Sequence, residues 1–576
     1  MPITAASLLL NPGAYEPEHF DAESRRVLAA TIDHLEGYGL GKLTGDYHAA
    51  QWPAEFLDFV AKEKVFATFM TPARDAAGDE DKRWDTARVA AMSEVLGFYG
   101  MSYWYPWQVT CLGLGPVWQS GNDGARARAA AAIDAGGIGA FGLSEKEHGA
   151  DIYSSDMVLT PTGDGTWTAT GSKYYIGNGN AANTVSVFGR IAGIEGPDQY
   201  VFFYADSDHP AYRVVKNVVH HQNYVSEFRL EDYPVTADDI LHTGEAAFSA
   251  ALNTVNVGKF NLCFGSLGGA THAFYTTINH AHTRMLYGKP VTAMPHIRSS
   301  LVENYARLIA MKLFSYRAVD YFRCASADDR RYLLFNPVTK MKVTTEGERV
   351  VTALGDIVAA KGFEKDNFMM IAKYDSTGLP RLEGTVAVNL GLVLKFMPAY
   401  LFMPEELPDV PTRTDAADDP FLFNQGPARG LGKVRFQDWK KPYEAAAGIP
   451  NVGRFYELAQ AFCDLLITAA PDAEQQKDLD FLLSLGDIFT LIVYGQLILE
   501  QAEILDLDTD IVDTIFEVLV RDFAAGAVTM HGKSGANDAQ RAWAVAAVRA
   551  PITSPERFDK VWNEVAGLSG AYAMKD

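Results

Sequence analysis

Cysteine is scarce, with four residues in a chain of 576. Cys111, Cys263, Cys324 and Cys463 are too widely spaced for a disulfide framework or a Cys-x-x-Cys metal site. We therefore expect small buried apolar residues in a reducing compartment, and no bound metal. The first ten residues, MPITAASLLL, lack a basic segment before their apolar run, so no signal peptide is predicted and a cytoplasmic location is expected.

Basic residues are also in the minority, since 50 Lys and Arg face 72 Asp and Glu for a net charge of −22. This excess of acid makes binding to a nucleic-acid backbone by bulk charge unexpected. Hydrophobic residues make up 48% and charged residues 21%, which is ordinary for a globular protein and excludes a disordered or coiled-coil chain. The composition therefore indicates a large globular protein without a nucleic-acid partner.

The hydrophobic pattern predicts a mainly α-helical protein with a small central antiparallel β domain, a barrel or sandwich. Apolar positions recur at helical spacing before and after a stretch of short β-like runs divided by turn residues. Within that stretch, Gly163-Asp164-Gly165 predicts a hairpin. Seven prolines then mark a linker. Five parts are predicted. They are an N-terminal helical domain (1–135), the β domain (136–245), a helical bundle (246–402), the linker (403–450) and a C-terminal helical domain (451–576).

Two apolar segments leave alternatives open. Trp104, Trp107 and Trp118 fall among aromatic residues and glycines, which predicts loops over a core or a ligand. The run from Phe481 to Leu499 is about as long as a membrane span but contains Asp487 and Gln496. We expect this run to be a buried helix of the C-terminal bundle, with peripheral membrane contact left open.

Four motifs occur in a fixed order along the chain. They are GLSEKEHGAD at Gly142–Asp151, GSKYYIGNG at Gly171–Gly179, TRMLYGKP at Thr283–Pro290 and LEGT at Leu382–Thr385. Together with the order of helices, β domain and helices, they resemble the acyl-CoA dehydrogenase family over about residues 20–400. The resemblance implies a flavoenzyme that holds FAD and oxidises an acyl-CoA thioester to the trans-2-enoyl-CoA.

The resemblance assigns Glu383 as the catalytic base, which takes an α-proton while a β-hydride leaves for the flavin. Burial would raise the pKa of its carboxyl toward neutrality, and its backbone N–H would hold the thioester oxygen. Gly384 would let the chain approach the ligand closely. The position of an alternative base in some members is Gly258, which cannot accept a proton. The competing interpretation of Glu383 is a carboxylate at a helix start.

The resemblance also implies ligand contacts at positions spread over the chain. Arg284 would neutralise pyrophosphate across a subunit interface, which requires a homodimer or homotetramer; a solvated arginine is the alternative. Tyr175 would pack on the flavin, or else be a packed strand aromatic. The remaining contacts are assigned to the cofactor (Phe141, Leu143, Ser144, Gly177, Tyr287, Asp356, Ala360 and Thr385) and to the substrate (Ala150, Lys259 and Gly384).

The sequence departs from the family pattern where the cofactor phosphates are expected. In place of a glutamine followed by Gly-Gly-Asn-Gly, it has DIVAAKGF from Asp356 to Phe363. An aspartate near phosphate is repulsive. Lys361 would compensate if Asp356 held it by an ion pair; alternatively both are solvated. Gly177 stands where relatives have a threonine, and Ala150 stands where they have a serine or threonine.

The sequence thus predicts an FAD-dependent acyl-CoA dehydrogenase that passes electrons to an electron-transfer flavoprotein. The extra C-terminal helical region, from about residue 451, resembles that of the longer family members that act on long-chain acyl-CoA, which implies medium or long acyl chains. Three alternatives on the same fold stay open: an acyl-CoA oxidase, a DNA-alkylation-response type of protein and a flavin-free paralogue. The second would need a basic C-terminal face, and residues 452–576 contain no dense Lys/Arg run.

Overall fold

The computed structural model describes residues 4–221 and 223–576. The chain divides into two compact units, each built from separate stretches. The sheet unit comprises the described residues of Glu16–Gly265, with Thr414–Arg429 and Lys575–Asp576. The helical unit comprises the described residues of Met1–Tyr15, with Ser266–Arg413 and Gly430–Met574. The finer five-part division stays a prediction.

The sheet unit begins with seven helices. Side chains cap several of them; for example, Asp21 accepts from the Ser24 N–H and Asn122 accepts from the Ala125 N–H. The helices are α1 (Ala22–Glu36), α2 (Gly39–His48), α3 (Ala54–Lys62), α4 (Val65–Met70), α5 (Thr86–Tyr99), α6 (Met101–Gln119) and α7 (Asp123–Asp134).

The loops predicted around Trp104, Trp107 and Trp118 are wrong, because all three lie in α6. This helix includes Pro106 and Pro116 and is buried on nearly every side. A helix without a solvated face shows no 3.6-residue alternation of apolar and polar positions, so periodicity does not reveal it.

An eight-stranded sheet follows the helices. Its strands are β1 (Gly139–Gly142), β2 (Val158–Gly163), β3 (Thr166–Gly177), β4 (Thr184–Ile191), β5 (Tyr200–Ala205), β6 (Tyr212–Asn217), β7 (Val225–Thr236) and β8 (Ile240–Thr243). Their order is β6-β7-β3-β2-β4-β5-β8, with β1 paired to β4. The predicted hairpin is confirmed as the turn between β2 and β3. The predicted central β domain is confirmed, but the sheet is mixed rather than purely antiparallel, since β4 pairs in parallel with both β1 and β2.

The 40-residue helix α8 (Gly244–Thr283) contributes its first part to the sheet unit and its remainder to the helical unit. A two-stranded hairpin, β9 (Met285–Leu286) and β10 (Lys289–Pro290), follows it. The bundle continues with α9 (Pro295–Arg323), α10 (Tyr332–Val338), α11 (Thr344–Val358), α12 (Phe368–Gly378), α13 (Val386–Val393) and α14 (Met397–Phe402). A π-helical turn, Thr339–Val343, joins α10 to α11.

The C-terminal helices belong to the helical unit. They are α15 (Lys440–Ala445), α16 (Pro450–Thr468), α17 (Leu479–Ile504), α18 (Thr509–His531), α19 (Asp538–Ala547) and α20 (Pro555–Gly567). Arg307 of α9 bonds Glu346 of α11 at 2.7 Å and Asp522 of α18 at 2.8 Å, with all three side chains buried. These charges connect the C-terminal helices to the central bundle.

Among residues 4–221 and 223–576, α17 is the one single helix long and apolar enough to cross a membrane. A pair bent by 44°, Phe368–Arg381 with Val386–Phe402, meets the same criterion only when taken together. Of the most apolar window of α17, 83% is buried inside the protein. Burial raises the pKa of Asp487, and Gln496 binds the Tyr400 hydroxyl. The predicted buried helix is therefore confirmed.

Candidate active site

The first group of predicted site residues lies where β1 ends in the sheet unit. Phe141 stacks on Phe202, with ring centroids 5.9 Å apart. Ser144 is tied to strand β3 twice, because its Oγ donates to the Tyr174 carbonyl at 2.8 Å and its own carbonyl accepts from the Tyr174 N–H at 3.0 Å. These bonds hold the segment Phe141–Ser144, which we call the 141–144 segment, beside β3.

A buried ion pair supports the 141–144 segment from behind. The Lys173 ammonium, 0% exposed, bonds Glu145 Oε1 at 2.6 Å and donates to the Leu143 carbonyl at 3.0 Å. Glu145 also accepts from the Ser155 hydroxyl and the Asp156 N–H, both at 2.7 Å. Burial lowers the pKa of Lys173 to about 8 although Glu145 opposes the shift. Burial alone would raise the pKa of Glu145, but Lys173 and the hydrogen bonds lower it overall.

The next two predicted contacts sit at an irregularity of strand β3. Its pairing with β7 shifts register between Lys173 and Ile176, and Tyr175 adopts a left-handed φ of +63°. A bulge of this kind re-aims a side chain, and Tyr175 is 59% exposed. A Cβ at Gly177 would lie 2.6 Å from both Tyr105 and Val109, so packing against α6 explains the glycine where relatives have threonine.

The remaining predicted residues of the sheet unit differ in exposure. Ala150 is exposed in the loop after β1, whereas Lys259 is buried in α8. The neighbouring Gly258 carbonyl accepts from Gln108 Nε2 of α6 at 3.1 Å. The substrate contacts of Ala150 and Lys259 stay predictions.

The candidate base lies in a tight loop of the helical unit, Leu382–Thr385, which we call the 382–385 loop. Glu383 has φ +51° and Gly384 has φ +88°, so two successive residues are left-handed. That conformation suits glycine but is uncommon for a glutamate. Thr385 is the N-cap of α13, its side chain accepting from the Val388 N–H. Because the threonine fills the capping position, Glu383 is not the cap of α13, and its half-buried carboxylate lies just before the helix.

A second part of the helical unit carries positive charge. Arg284 follows the end of α8, and its N–H donates to the His280 carbonyl at 2.8 Å. Burial, and then the charges of Lys361 and Arg284, lower the pKa of His280. His280 therefore lies within electrostatic range of both Arg284 and Lys361, and we call these three residues the cationic cluster. Two cations and a histidine suit a phosphate ligand.

Other residues predicted to contact the cofactor lie near members of the cationic cluster in the sequence. Asp356 and Lys361 are both exposed, and no ion pair joins them among the described residues, which favours the alternative that both are solvated. Ala360 is exposed in a short turn that begins with Ala359 at φ +56°. Tyr287 lies at the turn of the β9–β10 hairpin and is 96% exposed.

Comparison with known proteins bears on these motifs. Residues 248–397 match the family model described as acyl-CoA dehydrogenase, C-terminal domain. The short-chain specific acyl-CoA dehydrogenase of Megasphaera elsdenii is 24% identical over 48% of this chain and 72% of that protein. An acyl-CoA dehydrogenase of Bacillus subtilis (strain 168) is 25% identical over 37% of this chain and 56% of its own length. The caffeyl-CoA reductase-Etf complex subunit CarC of Acetobacterium woodii is 23% identical over 47% of this chain and 71% of its own.

The crystal structure of an acyl-CoA dehydrogenase complexed with FAD from Bacillus anthracis has a TM-score of 0.73 at 16% identity. It covers 98% of this chain and 97% of its own, so the similarity in fold includes the C-terminal helices. Butyryl-CoA dehydrogenase from Megasphaera elsdenii has a TM-score of 0.59 at 21% identity, over 66% of this chain and 98% of its own.

Together, these matches support the predicted acyl-CoA dehydrogenase family. The predicted family and fold class are confirmed, and with them the predicted enzyme class, an FAD-dependent oxidoreductase acting on CH–CH groups, and the cofactor FAD. The residues present fit that cofactor. In the helical unit, the cationic cluster offers the charge that a pyrophosphate requires. In the sheet unit, the exposed ring of Tyr175 and the Ser144 hydroxyl offer an apolar face and a polar group for a flavin.

Two buried lysines that organise the candidate site could not be found from the sequence. Lys173 lies within the GSKYYIGNG motif, yet nothing local indicated its pairing with Glu145, 28 residues earlier. Lys340 donates to the carbonyls of Pro380 and Gly384, on either side of Glu383. A lysine is solvated in most proteins, so only the fold reveals that both are buried.

Proposed function

We propose that the protein is an FAD-dependent acyl-CoA dehydrogenase in which Glu383 is the catalytic base. The observation that carries the proposal is the 382–385 loop, where a left-handed glutamate and glycine precede a helix that Thr385 already caps. Left-handed non-glycine residues persist where the surrounding structure holds them, and they are concentrated at functional sites. The residue that caps α13 is therefore Thr385 and not Glu383.

In the proposed reaction, a Glu383 carboxylate oxygen takes the proton from the thioester α-carbon. The electron pair of that C–H bond forms the new double bond as the β-hydrogen leaves with its own pair. FAD, when bound, would supply the acceptor for that hydride. The Glu383 N–H would donate to the thioester oxygen, where negative charge develops as the proton leaves.

Each unit holds residues that we assign to cofactor binding. In the sheet unit, the 141–144 segment and Tyr175 would contact the flavin ring, and Gly177 would offer backbone only. In the helical unit, Arg284 and Lys361 would bind phosphate, Thr385 would reach the cofactor, and Tyr287, Asp356 and Ala360 would lie near it. We propose that Arg284 binds the cofactor of a second subunit in a homodimer or homotetramer.

Electron-transfer flavoprotein is the proposed acceptor of the electrons. Its support is the relative named as a subunit of a caffeyl-CoA reductase-Etf complex. The acyl chain length is proposed to be medium or long because of the C-terminal helices, whereas a relative is named as short-chain specific. Rates of flavin reduction by butyryl-, octanoyl- and palmitoyl-CoA decide between these lengths. The cytoplasmic location stays a prediction.

Replacement of the base tests the central assignment. The purified protein should be yellow, and acyl-CoA added without oxygen should bleach it. In Glu383→Gln, flavin reduction should slow by about 10²–10⁴-fold, the usual contribution of a general base, while FAD content is retained. Stopped-flow absorbance measures the rate.

The matched control is Glu406→Gln, because the Glu406 side chain is 96% exposed. It should reduce its flavin at the wild-type rate. A near wild-type rate in Glu383→Gln would place the base elsewhere, and a colourless protein unable to take up FAD would support the flavin-free alternative.

A further inference from the structure

Lys340 is a buried cation in the helical unit. Its side chain is 0% exposed, and it lies in the π-helical turn Thr339–Val343 that joins α10 to α11. Its ammonium donates to the carbonyl of Pro380 at 2.6 Å and to the carbonyl of Gly384. Single π-turns within helices are rare and occur frequently at functional sites.

The two carbonyls bound by Lys340 enclose the candidate base. Pro380 precedes Glu383 by three residues, and Gly384 directly follows it. Asn389 of α13 adds a second anchor, since its Nδ2 donates to the Gly384 carbonyl at 3.1 Å and the Thr385 carbonyl at 3.0 Å. The backbone on both sides of Glu383 is thus held by side chains from the π-turn and from α13.

The 382–385 loop needs such anchors. Glu383 at φ +51° occupies a region that residues other than glycine sparsely populate. The Thr385 capping bond, at 3.5 Å, is too long to hold the loop firmly. Charge-assisted hydrogen bonds such as those of Lys340 are roughly twice as strong as neutral ones.

We propose that Lys340 is a positioning residue for the reaction: by binding the carbonyls of Pro380 and Gly384, it keeps Glu383 left-handed and its carboxylate in the reactive position. This inference rests on the proposed function, because it concerns the same base. Lys340 contacts the backbone of the loop, so its effect on the reaction is exerted through Glu383.

The neighbouring Lys342 provides a matched control. It lies in the same π-turn, but its ammonium bonds Glu346 at 2.7 Å and lies 3.9 Å from Asp522, within the charge cluster that involves α18. Lys342→Met therefore removes an equal charge from the same turn without removing a bond to the 382–385 loop.

The first measurement needs neither cofactor nor substrate. Amide hydrogen exchange is followed in the peptide covering residues 380–389 of the full-length protein without FAD. In Lys340→Met, the amides of Glu383, Gly384 and Thr385 should exchange at least about tenfold faster than in the wild type, because the loop opens more readily. In Lys342→Met, these amides should exchange at the wild-type rate.

The second measurement separates positioning from binding. In Lys340→Met with FAD, flavin reduction should slow by about 10–100-fold, since small misplacements of a catalytic group carry penalties of this size. The affinity for a non-reacting acyl-CoA thioether should stay within about twofold, because uniform binding is untouched. If Lys340→Met does not fold, Lys340→Gln, which keeps an uncharged NH2 donor, should show the same two effects at smaller size.

The outcomes are distinguishable. Wild-type exchange and reduction in Lys340→Met, or equal losses in Lys342→Met, would overturn the role of Lys340. If Glu383→Gln loses reduction while Lys340→Met keeps it, only this inference fails. If Glu383→Gln itself reduces its flavin normally, the proposed function fails, whatever Lys340 does.

Discussion

Two fully buried lysines lie beside the two candidate segments, one in each unit, and they bond different groups of those segments. In the sheet unit, Lys173 bonds the Leu143 carbonyl and also the Glu145 carboxylate, at 2.6 Å. In the helical unit, the bonds of Lys340 to its loop end on two backbone carbonyls. Lys173 is thus half of an ion pair beside the predicted flavin contacts, whereas Lys340 binds dipoles on both sides of the predicted base.

The different bonds of the two lysines indicate which interactions stabilise the 141–144 segment and the 382–385 loop. A buried ion pair leaves a full charge behind when one partner is removed, so the 141–144 segment depends on charge balance. Removal of Lys340 leaves the Pro380 and Gly384 carbonyls without its donation. Substitution of Lys340 should therefore loosen the backbone of the 382–385 loop, whereas substitution of Lys173 should upset the charge balance beside the 141–144 segment.

The largest effect on stability is expected at Lys173. Lys173→Met leaves Glu145 buried without its cation, which typically costs about 3–5 kcal/mol. In Lys340→Met, the loss of donation to the two carbonyls should by itself cost about 1–3 kcal/mol. Urea unfolding followed by circular dichroism measures both, and equal losses in the two variants would break the comparison.

The double variant Lys173→Met/Glu145→Gln sharpens the same comparison. Removing both charges should recover more than half of the loss of Lys173→Met, because the uncompensated carboxylate is gone. The coupling is read from a double-mutant cycle. If the double variant is no more stable than Lys173→Met, charge balance is not what supports the 141–144 segment.

The exposed cations of the cationic cluster can be compared with the two buried lysines. Arg284 and Lys361 face solvent, so their removal should weaken ligand binding without affecting folding. Arg284→Ala and Lys361→Ala should each weaken FAD binding by about one to two decades, the equivalent of a charge-assisted bond of roughly 1.5–3 kcal/mol. Asp356→Ala should weaken FAD binding less, or tighten it by removing a repulsive charge.

Titration of FAD into the three apo variants measures these affinities, with urea unfolding as the check on stability. Wild-type affinity in both Lys361→Ala and Asp356→Ala would show that this segment does not bind FAD. Wild-type affinity in Arg284→Ala would remove the proposed contact with a second subunit's cofactor.

The smallest expected effect is on the pH dependence of stability. The pKa of Lys173 is about 8 in the folded protein, against an ordinary value of 10.5. Between pH 8 and pH 10.5, Lys173 is therefore neutral in the folded protein and protonated in the unfolded chain. The unfolded state binds more protons there, so this group makes the free energy of unfolding rise with pH. Glu145, with its lowered pKa, stabilises the fold above its ordinary value of 4.5, and that stability is lost as pH falls through the folded pKa.

Unfolding curves of the wild type and of Lys173→Met/Glu145→Gln between pH 7 and pH 10 isolate this contribution. The stability of the wild type relative to the double variant should increase across the upper part of the range. A flat difference would show that Lys173 keeps its ordinary pKa when buried.

Much of the fold and part of the candidate site could be predicted from local patterns. Helical periodicity and short β-like runs predicted the order of helices, sheet and helices, and Gly163-Asp164-Gly165 predicted the hairpin, because turn chemistry acts over a few residues. The four motifs led to the family, and Leu382–Thr385 led to a candidate base. Each of these signals lies within a dozen residues of sequence.

The rest was decided by tertiary structure, because it depends on residues far apart in the chain. Helix α6 is buried nearly all round and so has no amphipathic pattern, and strand alternation does not encode that β4 runs parallel to β1 and β2. Lys340 reaches Gly384 across 44 residues. Spacing in the sequence does not specify which carbonyl a lysine will bond, nor whether the lysine will be buried. Both depend on how the helices pack.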